Sequence, residues 1–339
     1  MPEPLVSVKM ITYNHAPYIA QAIEGVLQQK TNFLFELVIG EDCSTDGTRE
    51  IVFEYQKKYP DIIRVITSDR NIGGRKNSYR ATKACRGKYV AFCEGDDYWH
   101  HAGKLQKQVD YMESHPECGL VCSSYDVYHV KSGKKIDDFI NYRKWKVPEK
   151  PSISDFLEGK GGIGRGILTC TVMVRRTLYA RIIESDPYLH QSNHFLMGDT
   201  QLWAEIATVA GVHRIPESLA THNITDESAT SSKDIKKRLR FLISVSELCL
   251  YLYDKYSDKY NIPLSVRNVH EADWCEFSLQ LALHSRNAGL AEEVRRRKST
   301  FTRKECLRYY GAKYLTFHYA YRIAASFRNL FRKEPNIWD

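Results

Sequence analysis

Glu94, Asp96 and Asp97 stand within four consecutive residues of a 339-residue chain, directly after the apolar run Tyr89-Val90-Ala91-Phe92-Cys93 and before Tyr98-Trp99. Carboxylates released where a strand ends present hard oxygen ligands, which suit a divalent cation. At the carboxyl edge of a sheet a cation and a diphosphate can meet. The competing reading of an Asp-Asp pair is a solvated acidic turn, because Asp favours turns by bonding to its own backbone. The order of the preceding segments decides between the two.

Val6 to Ile11 is β-rich and ends in the polar set Thr12-Tyr13-Asn14-His15, after which Pro17 can open a helix carrying Ile19, Ala22, Ile23 and Val26 at helical spacing. The unit repeats with Phe35 to Ile39 as strand, Glu41 to Thr48 as acidic loop, and a helix from Thr48 to Tyr59 closed by Pro60. A third strand, Ile62 to Ile66, leads through Asn71-Ile72-Gly73-Gly74 into a short basic helix and then into the strand that delivers the acids. Strands alternating with helices predict a parallel, three-layer α/β sheet whose ligands bind outside the carboxyl ends of the strands, where all these polar loops fall. Arg75, Lys76 and Arg80 lie in the loop and helix after the third strand, placed either to meet phosphates or to form a solvated basic face.

The ordered series Thr12-Tyr13-Asn14, Glu41 to Thr48, Asn71-Ile72-Gly73, Gly87-Lys88-Tyr89, Gly95-Asp96-Asp97-Tyr98-Trp99, Leu105 to Gln108, Thr169 to Arg176 and Gly198-Asp199-Thr200-Gln201-Leu202-Trp203 resembles the family 2 inverting glycosyltransferases of bacterial surface-polysaccharide type. The resemblance covers roughly residues 5 to 225. It implies the GT-A fold, Rossmann-like with a mostly parallel central sheet in three layers. It also implies a domain over 1–230, with a nucleotide-sugar half to about residue 125 and an acceptor half from about 126.

By resemblance Thr12, Asn14 and Asp42 hold the nucleotide base, and a carboxylate accepting from a pyrimidine imide N–H favours uracil, since an unpaired buried polar group costs about 1–3 kcal/mol. The bland reading of Asp42 is a loop cap, and for Asp46, just before a helix, capping is the better reading. Asp97 carries over as the metal ligand, with Asp96 at the ribose or completing the metal shell. Glu94 stands where the family has an aspartate, keeping the charge on a longer arm in the nucleotide-sugar site. His222, within residues 220–232, corresponds to a His-containing loop that closes over the diphosphate and contacts metal or phosphate. Magnesium or manganese suits such an all-oxygen site. Asp199 carries over as the general base that takes a proton from the acceptor hydroxyl, and the same residue can cap the helix implied by Leu202, Trp203 and Ile206.

The implied activity is a metal-dependent, inverting transfer of a sugar from a nucleotide-diphosphate donor, UDP-sugar favoured, to a saccharide or lipid-linked acceptor. A sugar-nucleotide pyrophosphorylase would want a Gly-rich, Arg-bearing loop after the first strand, which Thr12 to His15 does not supply. A non-catalytic glycan- or membrane-binding protein with a degenerate transferase domain is the third possibility.

An apolar share of 43% with 27% charged residues is ordinary for a soluble globular protein. Nine cysteines without a Cys-x-x-Cys pair read as reduced thiols in a cytoplasm. No signal-peptide start and no apolar span of bilayer length is present. The basic excess lies in residues 231–339, with 21 Lys/Arg against 12 Asp/Glu, a region patterned as helices. Tyr310, Tyr314, Phe317, Tyr321 and Phe327, interleaved with basic residues, suit either a helix on an anionic membrane surface or packing against the rest of the protein. No nucleic-acid motif accompanies them. The polar stretch Lys131 to Pro151 reads as a loop shaping the acceptor site, and Lys160 to Gly166 as a hinge.

Overall fold

The computed structural model describes residues 3–145, 148–158, 166–225 and 234–319. The chain divides into two compact units, Met1–His194 with Gly198–Ile224, and Phe195–Met197 with Thr225–Asp339.

In the first unit the elements run β1 (Val6–Thr12), α1 (Ile19–Leu27), β2 (Phe35–Glu41), α2 (Thr48–Lys58), β3 (Ile63–Ile66), α3 (Gly74–Ala84), β4 (Tyr89–Phe92), β5 (Tyr98–Trp99), α4 (Lys104–Ser114), β6 (Cys118–His129), β7 (Lys134–Ile136), α5 (Phe139–Tyr142) and α6 (Ile153–Leu157). A 3-10 turn at Thr169–Thr171 then leads to β8 (Met173–Arg175), α7 (Arg176–Ser185), α8 (Pro187–His190), α9 (Thr200–Ile206) and β9 (Gly211–Ile224). The sheet order is β3-β2-β1-β4-β8-β6-β9-β5, with β7 beside β6. From β3 to β4 every pairing is parallel. Beyond β4 the sheet is mixed: β8 pairs antiparallel with β4 and β6, β9 lies parallel to β6, and β5 pairs antiparallel with β9. Two elements depart from the loop reading. Residues 134–142 form β7 and α5, and Ala220 to Ile224 close β9, so His222 sits on a strand paired with Val127. The expected hinge at 160–166 lies outside the described residues except for Gly166.

The alternation of β1 sets the layers. Val6, Val8 and Met10 enter a core with Ile19, Ile23 and Val26 of α1 and Leu105, Val109 and Met112 of α4. Ser7 and Lys9 point to the opposite face, where helices also cover the sheet. Among the described residues buried Lys9 has no carboxylate partner. Its ammonium donates to Ser78 Oγ (2.7 Å), Tyr179 Oη (3.1 Å) and Thr82 Oγ1 (3.4 Å), matching three donors with three acceptors, and lies 4.7 Å from the Phe92 ring centroid. One side chain thereby ties α3 and α7 to the middle of the sheet.

The amino edge of the strands is locked by Glu36. Its Oε1 accepts from Ser7 Oγ (2.6 Å) and the Arg86 amide (2.9 Å), and its Oε2 from the Arg86 guanidinium (2.9 and 3.1 Å), with Arg64 at 3.4 Å. These donors join the starts of β1 and β2 to the lead-in of β4.

The second unit is helical: α10 (Ile235–Tyr260), α11 (Leu264–Ser285), α12 (Ala288–Arg297) and α13 (Arg303–Lys313). Leu239, Ile243, Trp274, Leu279, Ala282, Ala291, Val294 and Ala312 form its core, and Arg308 pairs with Glu276. Asn261 and Arg286 adopt left-handed conformations that end α10 and α11. Tyr310, Tyr314 and Phe317 are exposed, whereas Tyr321 and Phe327 lie outside the described residues. Among the described residues no helix is long and apolar enough to cross a membrane. All nine cysteines are free thiols.

Burial opposes ionisation of Glu36, but the hydrogen bonds from Ser7 and Arg86 outweigh it and hold the carboxyl below its ordinary value of 4.5. A depressed folded-state value contributes stability that is present above pH 4.5 and lost as pH falls through the lower, folded value. Because Arg86 is half exposed, Glu36→Gln is expected to cost about 1–3 kcal/mol at pH 7 in urea unfolding. The gap to the parent protein should narrow as pH is lowered below about 4.5, and a gap that stays constant would contradict this account.

Candidate active site

The acids are brought to the end of β1 because the chain leaving β4 continues beside it. The Cys93 amide donates to Lys9 O (3.1 Å) and the Gly95 amide to Ile11 O (3.0 Å), and a tight turn follows in which the Asp97 amide donates to Glu94 O (3.2 Å). A glycine is needed at 95: an added Cβ would lie 2.7 Å from Thr12 Oγ1 and 3.0 Å from His15 Nδ1. At the next strand Trp99 lies so close to α1 that a Cβ on Gly25 would come within 2.6 Å of its carbonyl oxygen.

The end of β9 grips this turn. Asp97, almost fully buried, accepts from His222 Nδ1 (3.0 and 3.2 Å) and from the Asn223 amide (2.9 Å), while Asn223 Nδ2 donates to Asp96 O (2.6 Å). Burial disfavours the His222 imidazolium, but the Asp97 carboxylate, with Asp96 and Glu94 behind it, prevails and raises it to about 9. Asp96 is partly exposed. Among the described residues its carboxylate accepts no hydrogen bond, and the His15 Nε2 lies 4.0 Å from it. Burial and then the Asp97 charge push its pKa up. Glu94 has one oxygen removed from water without a partner. Burial first, then the fields of Asp97, Asp96 and Asp199, push Glu94 well above the usual carboxylate range.

Asp199 lies at the start of α9. Its Oδ1 accepts from the Thr200 amide (2.6 Å) and its Oδ2 from Thr169 Oγ1 (2.5 Å), so it caps the helix, and its charge is among those that push Glu94 up. Glu94, Asp96, Asp97, His222 and Asp199 therefore share one electrostatic neighbourhood at the carboxyl edge.

Thr12, Asn14 and Asp42 stand where β1 and β2 end. Thr12 Oγ1 is buried without a partner beside Gly95. Asn14, with φ of 55°, accepts from the Thr45 amide (2.9 Å) and so joins the two loops. Asp42 does not cap α2. Its two oxygens take the amides of Ile72 and Gly73, each at 2.9 Å, and clamp the loop between β3 and α3. The start of α2 is bonded instead by Asp46, through the Thr48 amide (3.0 Å). Arg80 is engaged with carbonyl oxygens of Thr67 and Glu41, so it is a structural cation, not a solvated one. His15, Thr169 and Asn223 join the site without having been singled out from the sequence. The clue for Asn223 was its place beside His222, and for His15 its place in the polar set after β1.

Among the described residues no three His, Cys, Asp or Glu side chains are arranged to hold a metal by themselves. Magnesium and manganese are held by one or two carboxylates with substrate phosphates completing the shell. The uncommitted Asp96 carboxylate beside Asp97, with no Lys or Arg ion pair among the described residues, fits such an ion. His222 Nδ1 is engaged with Asp97.

The family model described as glycosyl transferase family 2 matches residues 7–180. The chain belongs to glycosyl transferase family 2. An uncharacterised protein of Mycobacterium tuberculosis is 45% identical over 61% of this chain, and the match spans only 59% of that relative's length. The putative teichuronic acid biosynthesis glycosyltransferase TuaG of Bacillus subtilis is 30% identical over 68% of the chain and 83% of its own. The Escherichia coli UDP-Glc:alpha-D-GlcNAc-diphosphoundecaprenol beta-1,3-glucosyltransferase WfgD is 29% identical over 58% and 69%. Two solved structures share the fold: S. aureus TarS in complex with UDP-GlcNAc (17% identity, TM-score 0.54, covering 98% of this chain and 95% of that one) and the mannosyltransferase PcManGT of Pyrobaculum calidifontis in complex with GDP-Man and Mn2+ (18%, 0.53, 98% and 89%). The α/β GT-A architecture implied by the sequence resemblance is thus the architecture of this family 2 glycosyltransferase.

Because a side chain at 95 would collide with Thr12 and His15, Gly95→Ala is expected to lower stability by about 1–3 kcal/mol in urea unfolding. An alanine variant as stable as the parent would show that the turn and the β1 loop are not packed as described.

Proposed function

We propose that this glycosyltransferase transfers a sugar, with inversion at the anomeric carbon, from a nucleoside-diphosphate donor to a hydroxyl of a saccharide or lipid-linked acceptor in surface-polysaccharide assembly. The observation that carries the reading is the gathering of Glu94, Asp96 and Asp97 at the carboxyl edge with Asp199 in their field. UDP-sugars come first as donors, supported by the UDP-GlcNAc in TarS and the UDP-Glc in the name of WfgD, while GDP-Man in PcManGT keeps guanine nucleotides in the test. The diphosphoundecaprenol acceptor of WfgD and the teichuronic acid pathway of TuaG support the acceptor class.

In this reading Thr12, Asn14 and Asp42 line the nucleotide end, with Asp42 already fixed by the amides of Ile72 and Gly73. Asp97 and Asp96 would hold Mg2+ or Mn2+, which when bound supplies counter-charge for the departing diphosphate. His222 and Asn223 keep Asp97 in place. Asp199 takes the proton from the acceptor hydroxyl as the oxygen–carbon bond forms and the bond from the anomeric carbon to the diphosphate breaks. The electron pair leaves with the nucleoside diphosphate, and the proton passes from Asp199 to solvent. Two or three of the roughly four acceptor positions of the carboxylate are filled by Thr169 and Thr200, which leaves at least one for the hydroxyl. The displacement takes place in a single step, so no enzyme nucleophile is required. The exposed Tyr310, Tyr314 and Phe317 support work at an anionic membrane surface on the cytoplasmic side, where lipid-linked acceptors are met.

Release of nucleoside diphosphate from a panel of UDP- and GDP-sugars, with manganese or magnesium and then with chelator, tests the activity. Asp199→Asn is expected to lower turnover about a hundred- to ten-thousandfold while calorimetry still detects UDP binding. Wild-type turnover in that variant would remove the base, and full activity in chelator would remove the metal.

A further inference from the structure

The acid pair and Asp199 come from segments about a hundred residues apart in sequence, yet a continuous set of hydrogen bonds joins them. Trp99 directly follows Asp97-Tyr98, and its Nε1 donates to Cys170 O (2.8 Å) in the middle of the 3-10 turn at Thr169–Thr171. The next carbonyl of that turn, Thr171 O, accepts from Gln108 Nε2 (2.8 Å). Val172 O then takes the Phe92 amide (3.1 Å), which pins the turn to the end of β4. Buried Lys104 orients both struts: its Nζ donates to Gln108 Oε1 (2.8 Å), leaving the amide nitrogen directed at the carbonyls, and lies 4.1 Å from the centroid of the Trp99 ring. The turn reaches Asp199 through the Thr169 hydroxyl, which donates to Oδ2 at 2.5 Å.

We propose that Thr169 is a positioning residue that fixes the Asp199 carboxylate, and that Trp99 and Gln108, by holding the turn, set where that carboxylate stands relative to Asp96 and Asp97. The inference rests on the reading of Asp199 as the base. The Thr200 amide on Oδ1 anchors one oxygen but leaves the carboxylate plane free to turn about it. A second donor on Oδ2 removes that freedom. Sub-ångström placement of a base governs rate, and a misplacement of about 1 Å costs about a hundredfold.

The test uses the full chain with UDP-N-acetylglucosamine and manganese, scoring UDP release and, without any donor, crystal structures of the variants. Thr169→Val keeps the shape and loses the donor. It is expected to lower kcat about ten- to a hundredfold with KM for the donor within about twofold, whereas Thr169→Ser restores kcat to within about threefold. The double variant Thr169→Val with Asp199→Asn should fall no further than Asp199→Asn alone. In crystals of Thr169→Val the carboxylate plane should turn about the Oδ1 held by Thr200, carrying Oδ2 away from its parent position. Full turnover in Thr169→Val, an equal loss in Thr169→Ser, additive losses in the double variant, or an unmoved carboxylate would overturn the proposal. If Asp199→Asn itself keeps wild-type turnover the base reading fails, whereas an inactive Asp199→Asn beside a fully active Thr169→Val sinks the positioning role alone.

Discussion

Everything at the carboxyl edge answers to the mutual repulsion of like charges. Three carboxyl groups from one turn, with a fourth at the start of α9, are drawn partly out of water, and among the described residues no lysine or arginine forms an ion pair with the three in the turn. Such a cluster is costly unless protons or a cation neutralise it. The protein answers with dipoles and one imidazolium: Asp97 is held by His222 and an amide and Asp199 by an amide and a hydroxyl, while among the described residues Asp96 accepts no hydrogen bond and one Glu94 oxygen is buried without a partner. The result is a surface prepared for positive charge that the chain does not itself provide.

That preparation depends on a frame built from neutral hydrogen bonds and aromatic faces. Burial draws the Lys104 ammonium down to about 7, against the opposing fields of nearby thiols and Glu94, and the group is stabilised by the Trp99 face and the Gln108 amide. Lys9 serves similarly in the middle of the sheet, with hydroxyls and rings in place of a carboxylate. Among the described residues neither lysine forms an ion pair with the acid cluster, and both shape the site through hydrogen bonds and ring faces.

The α/β frame was legible because β1, β2 and β4 read as short apolar or alternating runs and α1 and α2 repeat at helical spacing, patterns set by local sterics and burial. The acid turn was legible for the same reason: Glu94 to Asp97 sits where a strand must end. What the sequence could not disclose was long-range partnership. Nothing local to Ser7 and Lys9 announces their partners, because Glu36, Ser78 and Tyr179 are far away in sequence. His222 reads as a loop residue beside polar neighbours, whereas pairing of β9 with β6 makes it a strand residue aimed at Asp97. Thr169 was visible only as part of a motif, since its role exists only once α9 begins beside it.

Each end of the strands has its own buried glutamate. Glu36 stitches the starts of β1, β2 and β4 with ionic and amide bonds, while at the opposite end Glu41 pairs with Arg49 and takes the Ser44 amide, and the loops beyond it are joined by bridges such as Asn14 to Thr45. A scaffold cemented at its foot can exchange the loops at its crown without losing its shape. The same architecture persists in a neighbour at 17% identity, so the sheet is kept while the loops at its crown are free to change.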